Sequence, residues 1–249
     1  MSNHPVYVYG VVAAGDPAPA SLEGVAIRTV THGGLAALVA DLGDDTLPAA
    51  AAERAHDRVL EAALQQRTAI VPARPGTVLD GDGAVRDALL AAHAERLEHL
   101  LATVADRVQL DVEGRYDEQR LLDAIVAASP KIAALQERVR ARPGDAAHYD
   151  RIRLDEAVAA AIDLRRGQDA DRARAALTPL AEIDRVEDVR TPDGAFTLAF
   201  LVDRRQLGAF GEAIAALGAQ LGDEIALRCS GPLPPSSFAE ADLQPAAAT

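Results

Sequence analysis

The chain has 249 residues, enough to bury a sizeable core and to divide into two domains of ordinary size. Its formal net charge of −13 excludes a general binder of nucleic acid or anionic membrane, because the non-specific electrostatic term would be repulsive. A single cysteine, Cys229, excludes an internal disulfide and a multi-cysteine zinc site and fits a reducing cytoplasm, while 49% hydrophobic but only 3% aromatic residues point to cores of Ala, Leu, Val and Ile, which favours helices.

Pro5 to Val12 is β-branched and aromatic and reads as a strand, with Val6 and Val8 on one face and Tyr7 and Tyr9 on the other. Two further strands are expected at Val25–Thr31 and Leu35–Leu42, joined by a tight hairpin at His32-Gly33-Gly34. From Pro48 to Arg67 the pattern turns helical, with His56, Val59, Leu60, Ala63 and Leu64 on one face. Ala69 to Val71 reads as a short buried strand. Pro72 and Pro75 forbid helix or a central ladder beyond it, so Arg74 to Thr77 is expected in a rigid turn at the strand's end. A second helix is expected over Ala84–Val104, burying Leu89, His93, Leu97, Leu100 and Val104. This first part reads β-β-β-α-β-α and ends at residue 106.

A second domain is expected over 107–238. Arg107 to Glu113 alternates strictly, with Val108, Leu110 and Val112 on one face of a strand. Helices follow from Asp117, from Ser129-Pro130 (an N-cap with proline at N1), and after Arg142-Pro143-Gly144, the last carrying Leu154, Val158, Ala161 and Ile162. A separate short helix over Asp169–Leu177 ends at Thr178-Pro179. Strands are expected at Arg185–Arg190 and Ala195–Asp203 about a Thr191-Pro192-Asp193-Gly194 turn, then a helix at Gln206–Leu221 and a strand at Glu224–Cys229. The expected class is α+β: an N-terminal β-β-β-α-β-α domain and a C-terminal ferredoxin-like β-α-β-β-α-β domain. An antiparallel, coiled-coil-like helical segment is inserted in the latter at about residues 117–178. Residues 239–249 are low in apolar bulk and read as a flexible tail.

Motifs for chemistry are sparse. The only lysine, Lys131, lies outside any Walker pattern, and in Gly81-Asp82-Gly83 a third fingerprint glycine would fall at Arg86 while Asp82 would repel a pyrophosphate, so that stretch reads as a turn and N-cap. His93 and His99 lie six positions apart, about 120° around a helix, and cannot meet at one metal ion; they read as a core and a surface histidine. Cys229 reads as a packing residue of the last strand. His56 and Arg74 are the best polar candidates near the first core, the alternative being a satisfied core histidine and a structural arginine. No catalytic constellation, metal site or cofactor site is expected. No basic and then apolar leader opens the chain, and no run approaches the roughly 20 apolar residues that span a bilayer.

Four stretches together carry a resemblance: Val6 to Val12 with Tyr7 and Tyr9; His56 with Val59-Leu60-Glu61; Val71-Pro72-x-Arg74-x-Gly76-Thr77-Val78; and the closing Gly231-Pro232-Leu233-Pro234-Pro235-Ser236-Ser237-Phe238. In order and spacing they resemble the GvpL/GvpF family of gas vesicle proteins. The resemblance implies a non-enzymatic accessory or minor structural protein of the cytoplasm and gas vesicle, needed for vesicle assembly. Its implied partners are the small apolar shell protein and other accessory proteins, with self-association through the middle helices also open. The chain departs from the family pattern at Pro75, where relatives carry phenylalanine, and at Leu233 and Ser236, where they carry Trp and Tyr. The rival expectation is a ferredoxin-like small-molecule-binding regulator or enzyme, since that fold hosts many functions.

Overall fold

The structure, a computed structural model, describes residues 4–17, 19, 21–22, 24–42, 48–66, 68–141 and 147–239. The chain folds as two compact units, Met1–Leu110 with Leu201–Arg204 and Gly231–Thr249, and Asp111–Phe200 with Arg205–Ser230.

The first unit is organised by β1 (Val6–Ala13), buried along almost its whole length. β5 (Leu35–Asp41) pairs antiparallel on one side and is flanked by β4 (Arg28–His32) across a two-residue Gly33-Gly34 turn, the expected hairpin. A small β2–β3 hairpin (Ser21–Leu22, Val25–Ala26) precedes it. On the other side β1 pairs with two short strands, β6 (Val71–Pro72) and β7 (Val78–Leu79). The ladder is therefore interrupted by the turn and then resumes, contrary to the expectation that the prolines would end it. Pro72 and Pro75 remove donors only at their own positions, and the Val8 amide reaches Thr77 O at 2.9 Å.

Both faces of the sheet are covered. Val6, Val8 and Val11 pack with Val85, Leu89, Leu97 and Leu101 on one face, and Tyr7, Tyr9 and Val12 pack with Ala52, Ala55, Val59 and Ala63 of α1 (Ala49–Gln65) on the other. The alternation changes phase between Val8 and Val11 because the β1–β5 register shifts between Val8 and Gly10. The helix expected over Ala84–Val104 is broken. α2 (Gly81–Ala84) runs into a π-helical segment, Val85–Ala91, and α3 (Ala94–Val104) starts afresh after His93. The wider π turn rephases the stripe, so Leu90 and Leu101 are buried and His93 is not: it is half-buried at the break, with a buried Nε2 that has no hydrogen-bond partner. His99 is exposed, as expected.

The second sheet has the order β11-β8-β10-β9, built from β8 (Arg107–Tyr116), β9 (Ile183–Glu187), β10 (Gly194–Asp203) and β11 (Ile225–Leu233). Asp117 caps α4 (Glu118–Ala128) through Arg120 N at 3.0 Å, and Ser129 Oγ accepts from Ile132 N at 3.4 Å at the start of α5 (Pro130–Ala141), as its Ser-Pro pair implies. The Arg142-Pro143-Gly144 stop lies outside the described residues. α6 (His148–Leu177) is one continuous helix of 30 residues, about 45 Å long. The expected break before Asp169 is absent: Gly167 sits within the helix, where it weakens helicity without ending it. α7 (Leu207–Leu221) completes the second unit, and α8 (Ser236–Ala239) returns the chain to the first. Cys229 is exposed on the edge strand β11, not packed in a core.

Candidate functional site

The Ala69–Leu79 stretch is held from behind by β1 and α1. Arg74 to Thr77 forms the expected turn: Thr77 N donates to Arg74 O at 3.1 Å and Thr77 Oγ1 to the same carbonyl at 2.7 Å. Pro75 occupies the first corner and Gly76, at φ +85°, the second, the pattern of a type II turn. Proline in place of the family's phenylalanine thus presets a corner torsion. Gly76 is required by its positive φ, which L side chains adopt only with strain.

Beneath the turn lies a buried trio. The Tyr7 hydroxyl accepts the Gly76 amide at 2.9 Å and stands 3.2 Å from Nδ1 of His56. The backbone of Ala73 also hydrogen-bonds the imidazole. One hydroxyl therefore links strand, helix and turn. The Tyr9 ring packs 4.9 Å from Tyr7 and 5.9 Å from His56, but its hydroxyl is buried with no hydrogen-bond partner. Burial pushes the Tyr9 phenol up to about 12, raises Tyr7, and lowers His56 below the ordinary imidazole range.

The trio cannot act as a general acid or base on a substrate, since His56 is 2% exposed and Tyr7 and Tyr9 at most 1%. Its physical effect is to fix the turn. Arg74, Pro75 and Gly76 are exposed, Thr77 is half-buried and Val78 is 42% exposed, so a rigid backbone presents them outward. Arg74 follows the residue that contacts His56 and is exposed, whereas His56 is a satisfied core histidine.

The terminal motif packs within the same unit. Gly231, at φ +137°, lies so close to β8 that a Cβ there would meet Leu110 Cδ2 at 2.6 Å and Gln109 O at 2.8 Å. Pro232 is exposed and Pro234 half-buried; Pro234 O accepts Ser236 N at 2.8 Å, and the buried Pro235 accepts Phe238 N at 3.0 Å and Ala239 N at 2.9 Å. Gln109 clamps this end, its Oε1 accepting Ser237 N at 2.9 Å and its Nε2 donating to Ser237 Oγ at 3.1 Å. Phe238 is buried, and Ala239 joins the core cluster that contains Val71 and Ala73. Two motif stretches far apart in sequence thus meet at β6. Ala239, read as the first residue of a flexible tail, is 1% exposed.

Sequence reasoning missed two charged clusters. Arg28 joins Asp41 to Asp82, at 2.5 and 2.6 Å, tying the β4–β5 hairpin to the first turn of α2; Asp82 is an ion-pair partner, and Asp80 holds the N-cap position. In the second unit Asp169 is fully buried on α6. It accepts from Tyr116 Oη at 2.9 Å and Arg165 Nε at 2.8 Å, lies 3.3 Å from Arg172 Nη1, and Arg165 also reaches Glu224 at 2.8 Å. The i, i+4 Arg165–Asp169 spacing was visible in the sequence; the Tyr116 partner was not. Toward the N-terminus of α6, Leu154, Val158 and Ile162 line an apolar groove of about 370 Å³ with Leu122 and Val126 of α4 and Ile132 of α5. Among the described residues no group of three His, Cys, Asp or Glu is placed to hold a metal ion, and no helix is long and apolar enough to cross a membrane.

Comparison with known proteins follows the same lines. Residues 5–240 match the family model described as gas vesicle synthesis protein GvpL/GvpF. A gas vesicle protein F from a Streptomyces species is 34% identical, covering 94% of this chain and 99% of its own; one from Microcystis aeruginosa is 26% identical over 74% and 75%. The crystal structure of GvpF from an Anabaena species superposes with a TM-score of 0.79 at 20% identity, covering 96% of this chain and 99% of that one. The GvpF structure from Microcystis aeruginosa gives 0.72 at 20% identity, covering 95% and 99%. The mixed helix-and-sheet fold is thus that of the GvpF structures, and the chain belongs to the GvpL/GvpF family of gas vesicle proteins.

Proposed function

We propose that this chain is a non-catalytic accessory or minor structural protein of gas vesicle assembly, acting in the cytoplasm and at the vesicle. It binds the small apolar shell protein, keeps it from aggregating and helps to nucleate or extend the wall alongside other accessory proteins. The contact surface is the first unit, at the Arg74–Thr77 turn and Val78. One observation carries the reading: the turn's backbone is fixed by the buried Tyr7–His56 pair while its side chains face solvent, an arrangement suited to a preorganised protein contact. Val78 adds an exposed apolar side chain beside it. The net charge of −13 supports solubility for a complex with an apolar partner. The strand order β11-β8-β10-β9 supports a ferredoxin-like reading of the second domain, with α4, α5 and α6 as its helical insertion.

Co-expression with the shell protein tests this reading. Recovery of a complex and a larger soluble fraction of shell protein are expected. No complex and unchanged solubility would rule the mechanism out.

A further inference from the structure

β9 ends the second sheet: β10 lies on one side of it, and no described strand lies on the other. An edge strand presents unpaired backbone donors and acceptors, and proteins usually blunt it with lysine, proline or a bulge. β9 has neither lysine nor proline, and it displays apolar side chains: Ile183 is 38%, Val186 59% and, just beyond the strand, Val189 36% exposed. Its charges, Asp184, Arg185, Glu187 and Asp188, are arranged about Val186 with alternating consequences for pairing.

We propose that β9 pairs antiparallel with β9 of a second copy of this chain, about a two-fold axis through Val186. The sequence is self-complementary in this register alone. With the axis at Val186, Arg185 faces Glu187 of the other copy, Glu187 faces Arg185, Ile183 and Val189 face each other twice, and Val186 faces itself. Moving the axis to Arg185 or Glu187 sets like charges face to face at the centre and pairs an apolar residue with a charged one. An axis at Asp184 does the same with two carboxylates. The favoured register leaves two symmetry-related like-charge pairs, Asp184 of each copy with Asp188 of the other. Asp184 is already neutralised within its own chain by Arg174 Nε at 2.6 Å and by Thr178 Oγ1 at 3.2 Å. A closed two-fold contact of this kind consumes the β9 edge of each copy, so the contact yields a dimer and not a fibre.

The test is the mass of the purified full chain by sedimentation velocity across the micromolar range, with charge-swap variants. Arg185→Glu alone and Glu187→Arg alone each convert two attractive pairs into two repulsive ones and are expected to weaken the dimer about tenfold or more. The double variant Arg185→Glu/Glu187→Arg restores both pairs and is expected to dimerise within about twofold of the native chain. Circular dichroism checks that each exposed-strand variant remains folded. A monomeric native chain, or a double variant as weak as the singles, overturns the proposal. So does capture of a different protein's strand by β9, read as loss of that capture in Arg185→Glu without any native dimer.

Discussion

The Tyr7 hydroxyl stands 3.2 Å from Nδ1 of His56, and it receives the Gly76 amide at 2.9 Å. A surface turn is thereby anchored to the interior of a helix–sheet layer through a single oxygen. Buried polar groups are costly only when unpaired, and this oxygen satisfies two others besides itself.

Replacing each tyrosine by phenylalanine separates that role from mere aromatic packing. Tyr7→Phe leaves the Gly76 amide and His56 Nδ1 without their partner and is expected to cost about 1–3 kcal/mol, with faster amide exchange at Gly76. Tyr9→Phe removes a buried hydroxyl that has no partner, so its expected effect is neutral or stabilising. Urea denaturation of the two variants reads the contrast. Equal losses would mean that the hydroxyl link does not hold the turn.

The same pair sets a pH dependence. Burial lowers the His56 pKa, so in the window between its folded value and the ordinary value of about 6.5 the unfolded chain binds the extra proton. The contribution is complete above the unfolded pKa and is lost as pH falls through the folded one. Unfolding free energy should therefore decline as the medium is acidified below about pH 6.5, and His56→Gln should flatten that part of the profile. Carboxylates add their own acid dependence, so the variant-minus-native difference is the quantity to measure.

The extent of this that was legible in the chain follows from range. Alternation in β1 separates Val6 and Val8 from Tyr7 and Tyr9, and Gly33-Gly34, Ser129-Pro130 and Thr191–Gly194 each mark a turn or cap within four residues. The Tyr7 links reach across 49 and 69 positions, and Tyr116 to Asp169 spans 53, distances at which periodicity carries no information. The helix break at His93 was hidden because a π turn keeps helical composition while shifting its phase. The separate Asp169–Leu177 helix that was expected is instead the end of α6, and Gly167 within it lowers helix propensity by only about 1 kcal/mol, which 30 residues of helix absorb.

Asp169, buried among Tyr116, Arg165 and Arg172, is expected to contribute to the stability of the second unit. Asp169→Ala strips a fully buried carboxylate from Arg165, Arg172 and Tyr116 and is expected to cost about 3–5 kcal/mol. Tyr116→Phe removes one hydrogen bond but leaves the carboxylate paired with Arg165, so about 1 kcal/mol is expected. Thermal or chemical denaturation orders the two. A Tyr116→Phe loss equal to that of Asp169→Ala would place the energetic weight on the hydroxyl, not the ion pairs.

The turn itself separates shape from side chain. Gly76→Val forces a β-branched residue into φ +85° and is expected to cost about 1–2 kcal/mol while deforming the presented backbone. Arg74→Ala changes an exposed side chain on an unaltered backbone, and its expected stability effect lies within about 0.5 kcal/mol. If the turn is the shell-protein contact, both variants lose capture of that protein, Gly76→Val through geometry and Arg74→Ala through the missing guanidinium, which suits carboxylate recognition. Capture by co-expressed shell protein and the unfolding midpoint, measured together, distinguish the cases. Native capture by both variants would move the interface elsewhere, whereas an Arg74→Ala chain that fails to fold would make Arg74 a structural residue.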